Sequence, residues 1–197
     1  MRNMLMLAGA LAVLGLSPLV AADLVSVPGS ITTYPGAIEV SVAGSTVKLA
    51  LTGTAMRTKF MVNVYAIGRY VQEGAKVRPA EDLAAADCPK RLHLVMERTG
   101  GGKDMAEAFS SAIRMNYSEP AFNEEIRALT QYLQSTTLQK GEQIYLTHMS
   151  GVGINFNLAG KTNLTIKNPR FSQAVWEIYL GKRNVGENSK RGLTSRL

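Results

Sequence analysis

The run Arg57–Tyr70, RTKFMVNVYAIGRY, constrains this chain more than any other segment. With period-2 side chains, Phe60, Val62, Val64, Ala66 and Gly68 fall on one side of a strand, and Met61, Asn63, Tyr65 and Ile67 on the other. Both sides are largely apolar. The segment therefore predicts one long strand at the centre of a sheet, covered on both faces. Arg57 stands at its mouth. A guanidinium entering an apolar layer requires an anionic partner or ligand, because burying it unpaired is costly. At an exposed strand end it would instead bridge to a surface carboxylate, and the segment alone leaves both readings open.

The N-terminus reads as a leader. Arg2 supplies a positive charge, Met4–Leu16 is apolar apart from glycine, and Val20-Ala21-Ala22 offers small residues for cleavage before Asp23. The apolar run is short for a membrane span, and no cysteine follows it to carry a lipid anchor. The expectation is a signal peptide over 1–22 and a periplasmic or secreted domain over 23–197. Cys88 is the single cysteine, so no intramolecular disulfide can form and the fold must rest on packing. The formal net charge is +7, spread along the chain except at the C-terminus, where Lys182, Arg183, Lys190, Arg191 and Arg196 gather. Such an end can touch a membrane surface of anionic lipid or stand as a solvated tail. No nucleic-acid motif is present, and an export signal argues further against that partner.

Ile38–Val42 and Val47–Leu51 flank Ala43-Gly44-Ser45-Thr46, which fits a hairpin. Gly53 interrupts before the Arg57 strand. Gly74–Asp87 predicts a loop with a short helix, and Arg91–Glu97 a further strand. Gly100-Gly101-Gly102 lacks the lysine and Ser/Thr of a phosphate loop and reads as a flexible connection. Asp104 can then cap a helix with Met105, Ala108, Phe109, Ala112, Ile113 and Asn116 on one face. A second helix follows from Pro120, with Phe122, Ile126, Leu129 and Leu133 as its apolar stripe. Strands over Ile144–His148, Ile154–Leu158 and Leu164–Ile166 precede a last helix opened by Asn168-Pro169. Strands, helix pair, strands, helix predicts an α+β domain, an antiparallel sheet with helices on one face.

The usual catalytic sets are missing from the sequence. His93 and His148 each lie in a strand pattern without metal-ligand spacing, no GxSxG occurs, and Cys88 precedes Pro89 with no local histidine. No metal or cofactor is expected. Two polar features remain: Arg57 with Tyr65, and Asn116 at the end of an apolar helix face. If that helix covers the sheet, they could share a cavity suited to an amphiphile with one anionic end.

Four segments, GTAMRTKFMVNVYAIGRYV (53–71), AFSSAIRMN (108–116), KGEQIYLTH (140–148) and FSQAVWEIYLGKRNVGENSKRGLTSRL (171–197), give the chain a resemblance to the chalcone isomerase superfamily, in its bacterial exported branch. The resemblance implies an open-faced β-sandwich with a ligand cleft between a large antiparallel sheet and a layer of helices. The superfamily holds enzymes that close a chalcone to a flavanone, relatives that bind fatty acids, and non-catalytic helpers. Arg57 stands at the position of the arginine that stabilises the reacting oxyanion in the enzymes. Tyr65 and Phe109 stand where the enzymes use a threonine and a tyrosine to organise water. The helix asparagine is kept as Asn116, and Ile178 replaces a late Ser/Thr.

Phe109 and Ile178 cannot donate hydrogen bonds, and loss of one preorganised donor costs on the order of a hundredfold in rate. The leading expectation is therefore a periplasmic binder of a small amphiphilic anion, a fatty acid being the natural candidate. Arg57 and Tyr65 would take its head, Phe109, Ile113 and Ile178 line its cleft, and Asn116 orient it. The alternatives are an intramolecular lyase or isomerase acting on a phenolic or enone substrate, and a non-catalytic envelope scaffold. A tyrosine in the cleft, such as Tyr117 or Tyr145, would favour the enzyme.

Overall fold

The computed structural model describes residues 23–42, 44–76 and 80–197; the expected leader lies outside them. In chain order the elements are β1 (Leu24–Ser26), β2 (Thr33–Pro35), β3 (Ala37–Val42), β4 (Ser45–Lys59), β5 (Val62–Gln72), α1 (Ala80–Ala85), β6 (Lys90–Met96), β7 (Gly100–Gly101), α2 (Gly102–Arg114), α3 (Asn123–Gln134), β8 (Thr137–Leu138), β9 (Gln143–Met149), β10 (Gly153–Leu158), β11 (Thr162–Ile166), α4 (Pro169–Leu180) and α5 (Glu187–Leu193). Seven strands form one antiparallel sheet in the order β11-β10-β9-β6-β5-β4-β3. The α+β architecture expected from the element order is the one found.

Alternation along the central strands assigns each face its own core. Tyr65, Ile67 and Val71 of β5 join Leu92, Leu94, Ile144, Leu146 and Phe156 beneath the helices, in one cluster with Phe109, Ile113, Leu129, Trp176 and Tyr179. Ala66 and Tyr70 face the other way, into a smaller cluster with Val40, Leu49, Leu51 and, from the β1–β2 hairpin, Val27 and Tyr34. A Cβ on Gly68 would lie 2.7 Å from the Tyr34 ring, so the glycine makes room for that second cover. The prediction of a strand covered on both faces holds for β5.

The boundaries of that strand do not hold. The expected single strand from Arg57 is two, because the chain reverses at Phe60-Met61. Lys59 pairs with Val62 across a two-residue loop, and Phe60 and Met61 have φ of 50° and 63°. This is the left-handed geometry of a type I′ turn, which normally selects Asn-Gly. Phe-Met gives no such signal. Arg57 thus belongs to β4 and faces Tyr65 across the hairpin instead of preceding it along one strand. Gly53, expected to interrupt, lies inside β4 at a register shift.

Other expectations are corrected by packing. Gly100–Gly102 is not a loose connection: β7 pairs with β8, and the Gly102 N–H donates to the Thr136 carbonyl at 2.7 Å. A Cβ there would stand 1.8 Å from the Leu133 carbonyl oxygen. Asp104 does not cap α2, which starts earlier with Gly101 at its N-cap. Ala106 is buried on α2 where Ala108 was expected, and the helix ends before Asn116. Asn168 does cap α4, its side-chain oxygen accepting from the Arg170 and Phe171 N–H groups at 3.0 and 3.1 Å. The basic C-terminal stretch includes an unforeseen helix, α5, whose Leu193 is fully buried, and Arg196 pairs with Asp23 at 3.2 Å.

Among the described residues, two cations are wholly buried. Lys90 donates from Nζ to the carbonyls of Leu83, Ala84 and Ala86 at 2.8, 2.9 and 2.6 Å, closing the end of α1, and lies 5.0 Å from the Trp176 ring centroid. Burial lowers its pKa to about 8. Lys90→Met would remove the donor from three carbonyls at once. We expect a loss of about 2–4 kcal/mol in urea unfolding, against little change for an exposed lysine such as Lys103. Arg69, on β5, has no hydrogen-bond partner for its guanidinium among the described residues, and burial lowers its pKa to about 9.

Candidate ligand site

The β4–β5 hairpin brings Arg57 and Tyr65 together. Tyr65 points into the helix-side core, and its hydroxyl lies 2.8 Å from that of Tyr179 on α4. A hydroxyl pair shares one hydrogen bond, so one O–H of the two stays free to donate. Arg57 is half-buried at the rim of this pair. Its Nη1 donates to the Thr58 carbonyl at 2.6 Å, and it has no carboxylate partner among the described residues. Among the described residues, the surface ion pair left open by the sequence is therefore not formed.

Electrostatics define what the phenols can do. Burial raises the Tyr65 pKa above its ordinary 10, with the Tyr179 hydrogen bond and the Arg57 charge pulling the other way. Burial and the neighbouring Tyr65 push Tyr179 well above that value. At neutral pH both are protonated. They are hydrogen-bond donors, not bases.

The remaining expected residues divide. Phe109, Ile113 and Ile178 are 6, 0 and 3% exposed and share the Tyr65 core, Phe109 meeting Phe156 edge-on at 6.2 Å. They are beneath the helix layer, as a lining would be, and the layer is closed over them. Asn116 is not on the apolar helix face. It lies beyond α2 and donates from Nδ2 to the Arg183 carbonyl at 2.8 Å, while Arg183 Nη1 donates to the Met115 carbonyl at 2.9 Å. This reciprocal pair staples the end of α2 to the segment after α4.

Tyr179 was foreseen only as a packing residue. The signal available was its place beside Ile178, where the resemblance sets a polar group. Tyr117 and Tyr145 do not reach the site. Tyr117 donates to Glu177 Oε2 at 2.8 Å. Tyr145 is on the opposite sheet face, with His93 at 4.6 Å and the Arg91 guanidinium at 5.1 Å from its ring.

Two other places in the molecule gather polar groups. His148 Nδ1 lies 2.7 Å from Ser172 Oγ and its Nε2 2.9 Å from Asp87 Oδ1, a Ser-His-Asp chain that no spacing in the sequence revealed. Ser172 is fully buried, so its oxygen cannot meet a substrate. The chain ties the loop around Asp87 to β9 and α4. An open groove of about 270 Å³ lies between the start of α3 and β11, and among its lining are Glu124, Glu125 and Lys167. None of the candidate residues borders it. No group of three or more metal-ligating side chains occurs among the described residues.

The profile of one protein family, described as chalcone isomerase-like, matches residues 34–194. The chain belongs to the chalcone isomerase-like family. Among solved structures, this family member is similar to the crystal structure of a fatty-acid binding protein of Arabidopsis thaliana. The TM-score is 0.67 with 16% identity, over 87% of this chain and 96% of the other. At that identity the likeness establishes the shared fold. No curated protein sequence matches the chain.

Proposed function

We propose that this chalcone isomerase-like protein binds a fatty acid or a chemically similar amphiphilic anion. The observation that carries the reading is Arg57: a half-buried cation without a carboxylate partner among the described residues, beside two protonated phenols at the rim of the largest apolar layer. A carboxylate there would take charge-assisted hydrogen bonds from the guanidinium and one more from the Tyr65–Tyr179 pair. The fatty-acid binding structural neighbour supports the same class of ligand. Phe109, Ile113 and Ile178 would contact the chain of the ligand. Because these side chains are packed, entry requires α2 or α4 to lift from the sheet, against the Asn116–Arg183 staple.

A ring-closing isomerase fits less well. Phe109 and Ile178 offer no donors at the positions where the enzymes have them. The Tyr65–Tyr179 pair beside Arg57 does supply protonated hydroxyls and is the one observation that favours this second reading, which an assay of chalcone absorbance with the purified protein tests. The closed layer is the one observation that favours a scaffold without ligand. We place the protein in the periplasm or outside the cell, after cleavage before Asp23, with no metal or cofactor required. Native mass spectrometry of the protein from its own host tests these readings together. The expected spectrum shows a chain starting at Asp23 with an added mass of a fatty acid. A ligand-free chain that also ignores added fatty acid would favour the scaffold, and an intact Met1 would refute export.

A further inference from the structure

We propose that the tip of the β4–β5 hairpin, with the adjoining β1–β2 loop, docks on an anionic lipid bilayer. Met61, Ile31 and Phe60 are 99, 94 and 88% exposed, the three most exposed large apolar side chains among the described residues. Val62, at 45%, extends the same tip. They belong to one end of the molecule: Asn63 Nδ2 donates to the Gly29 carbonyl at 3.2 Å, holding the Ile31 loop against the start of β5. Ser30 and Thr32 of that loop both donate to Glu97, which follows β6. Single exposed apolar residues need no account, but four gathered on two braced loops do.

Backbone geometry sharpens the point. Phe60 and Met61 occupy the left-handed positions of a type I′ turn, where Asn-Gly would relieve strain and add solubility. Two large apolar residues there oppose folding and bury almost none of their surface within the chain, the Lys59 ammonium 5.7 Å from the Phe60 ring centroid being the one recorded contact. A bilayer rewards both. The surrounding charge identifies its sign: Lys59 and Arg98 are exposed and Arg57 half-exposed, while the nearby carboxylate of Glu97 is engaged by Ser30 and Thr32. Cations flanking an apolar tip match an anionic headgroup layer over an acyl interior. A second protein could cover an apolar tip too. The three flanking cations and the small, projecting contact favour lipid.

The test uses the chain from Asp23 onward, which contains both cores and every described element, and sedimentation with phosphatidylglycerol or phosphatidylcholine vesicles. Wild type should partition onto the anionic vesicles and much less onto the neutral ones. The double variant Phe60→Asn/Met61→Gly should lose more than about tenfold in partitioning while melting at a higher temperature, because it installs the preferred turn. That opposite movement excludes misfolding as the cause. Lys59→Glu/Arg98→Glu should weaken binding to anionic vesicles only. Equal partitioning of wild type and the tip variant, or no vesicle binding by wild type, overturns the proposal. So does a concentration-dependent dimer that the tip variant abolishes. Titration with monomeric fatty acid is a separate readout, so either result leaves the proposed ligand site to stand or fall by itself.

Discussion

Arg57→Ala is expected to weaken fatty-acid binding by roughly 2–5 kcal/mol, the range for truncating one partner of a hydrogen-bonded charge pair. The lower end applies if Arg57 keeps its present contact with solvent when ligand is bound. Arg57→Lys should recover only part of the loss, since an ammonium offers a point charge where the guanidinium offers a planar fork. Folding should be nearly unchanged in both, because Arg57 stands half-buried at the rim with no ion pair to lose among the described residues and its 2.6 Å hydrogen bond is to the neighbouring Thr58 carbonyl. Were Arg57 merely a surface cation, affinity would not move and stability would shift by less than about 1 kcal/mol. Calorimetric titration of the three proteins with a chain-length series separates these outcomes. Unchanged affinity in Arg57→Ala, with wild-type binding established, would falsify the placement of the head group.

A large effect on stability is expected at Gly53. Here β4 shifts register and α5 comes down backbone to backbone. A Cβ on Gly53 would stand 2.1 Å from the Gly192 carbonyl oxygen and 2.7 Å from the Leu193 carbonyl carbon, with φ at +154°. The adjacent Thr52 holds the same contact: its Oγ1 lies 3.4 Å from the Leu193 carbonyl and its own carbonyl accepts from the Arg196 N–H at 3.0 Å. Gly53→Ala must therefore displace α5 as well as strain the strand, and we expect a cost of about 3–5 kcal/mol in denaturant unfolding. Gly74→Ala is the control. Its φ is +81° with open space around the Cβ, so only backbone strain of about 1 kcal/mol applies. Similar costs at the two positions would mean that α5 is not seated on β4 as described.

Legibility in the sequence followed the physics that each segment obeys. The period-2 runs of β6, β9 and β10 and the Asn168-Pro169 cap of α4 could be read because alternation and capping chemistry agree with the fold there. The β4–β5 reversal could not. Its turn is built from Phe60 and Met61, residues that contradict the turn they occupy, and two adjacent apolar strands merged into one apparent run. Glycines that serve close approach, Gly102 and Gly53, looked like interruptions because the partner backbone is distant in sequence. At the site, Arg57 and Tyr65 stood out as polar groups in an apolar setting. Tyr179 did not, since a tyrosine in an amphipathic helix reads first as core. Asn116 falls off the apolar face for a local reason: α2 ends at Arg114, before the helical period reaches it.

A fatty acid held at Arg57 should bind as the carboxylate anion. Carbon-13 NMR of a fatty acid labelled at its carboxyl carbon, titrated with protein, observes that atom directly. A separate bound resonance is expected whose carboxyl stays ionised to lower pH than the free acid, because an adjacent guanidinium favours the charged form. In Arg57→Ala that resonance should vanish or titrate near the free value. A bound resonance that titrates the same in wild type and Arg57→Ala, or no bound resonance at all, would contradict binding of the anion at Arg57.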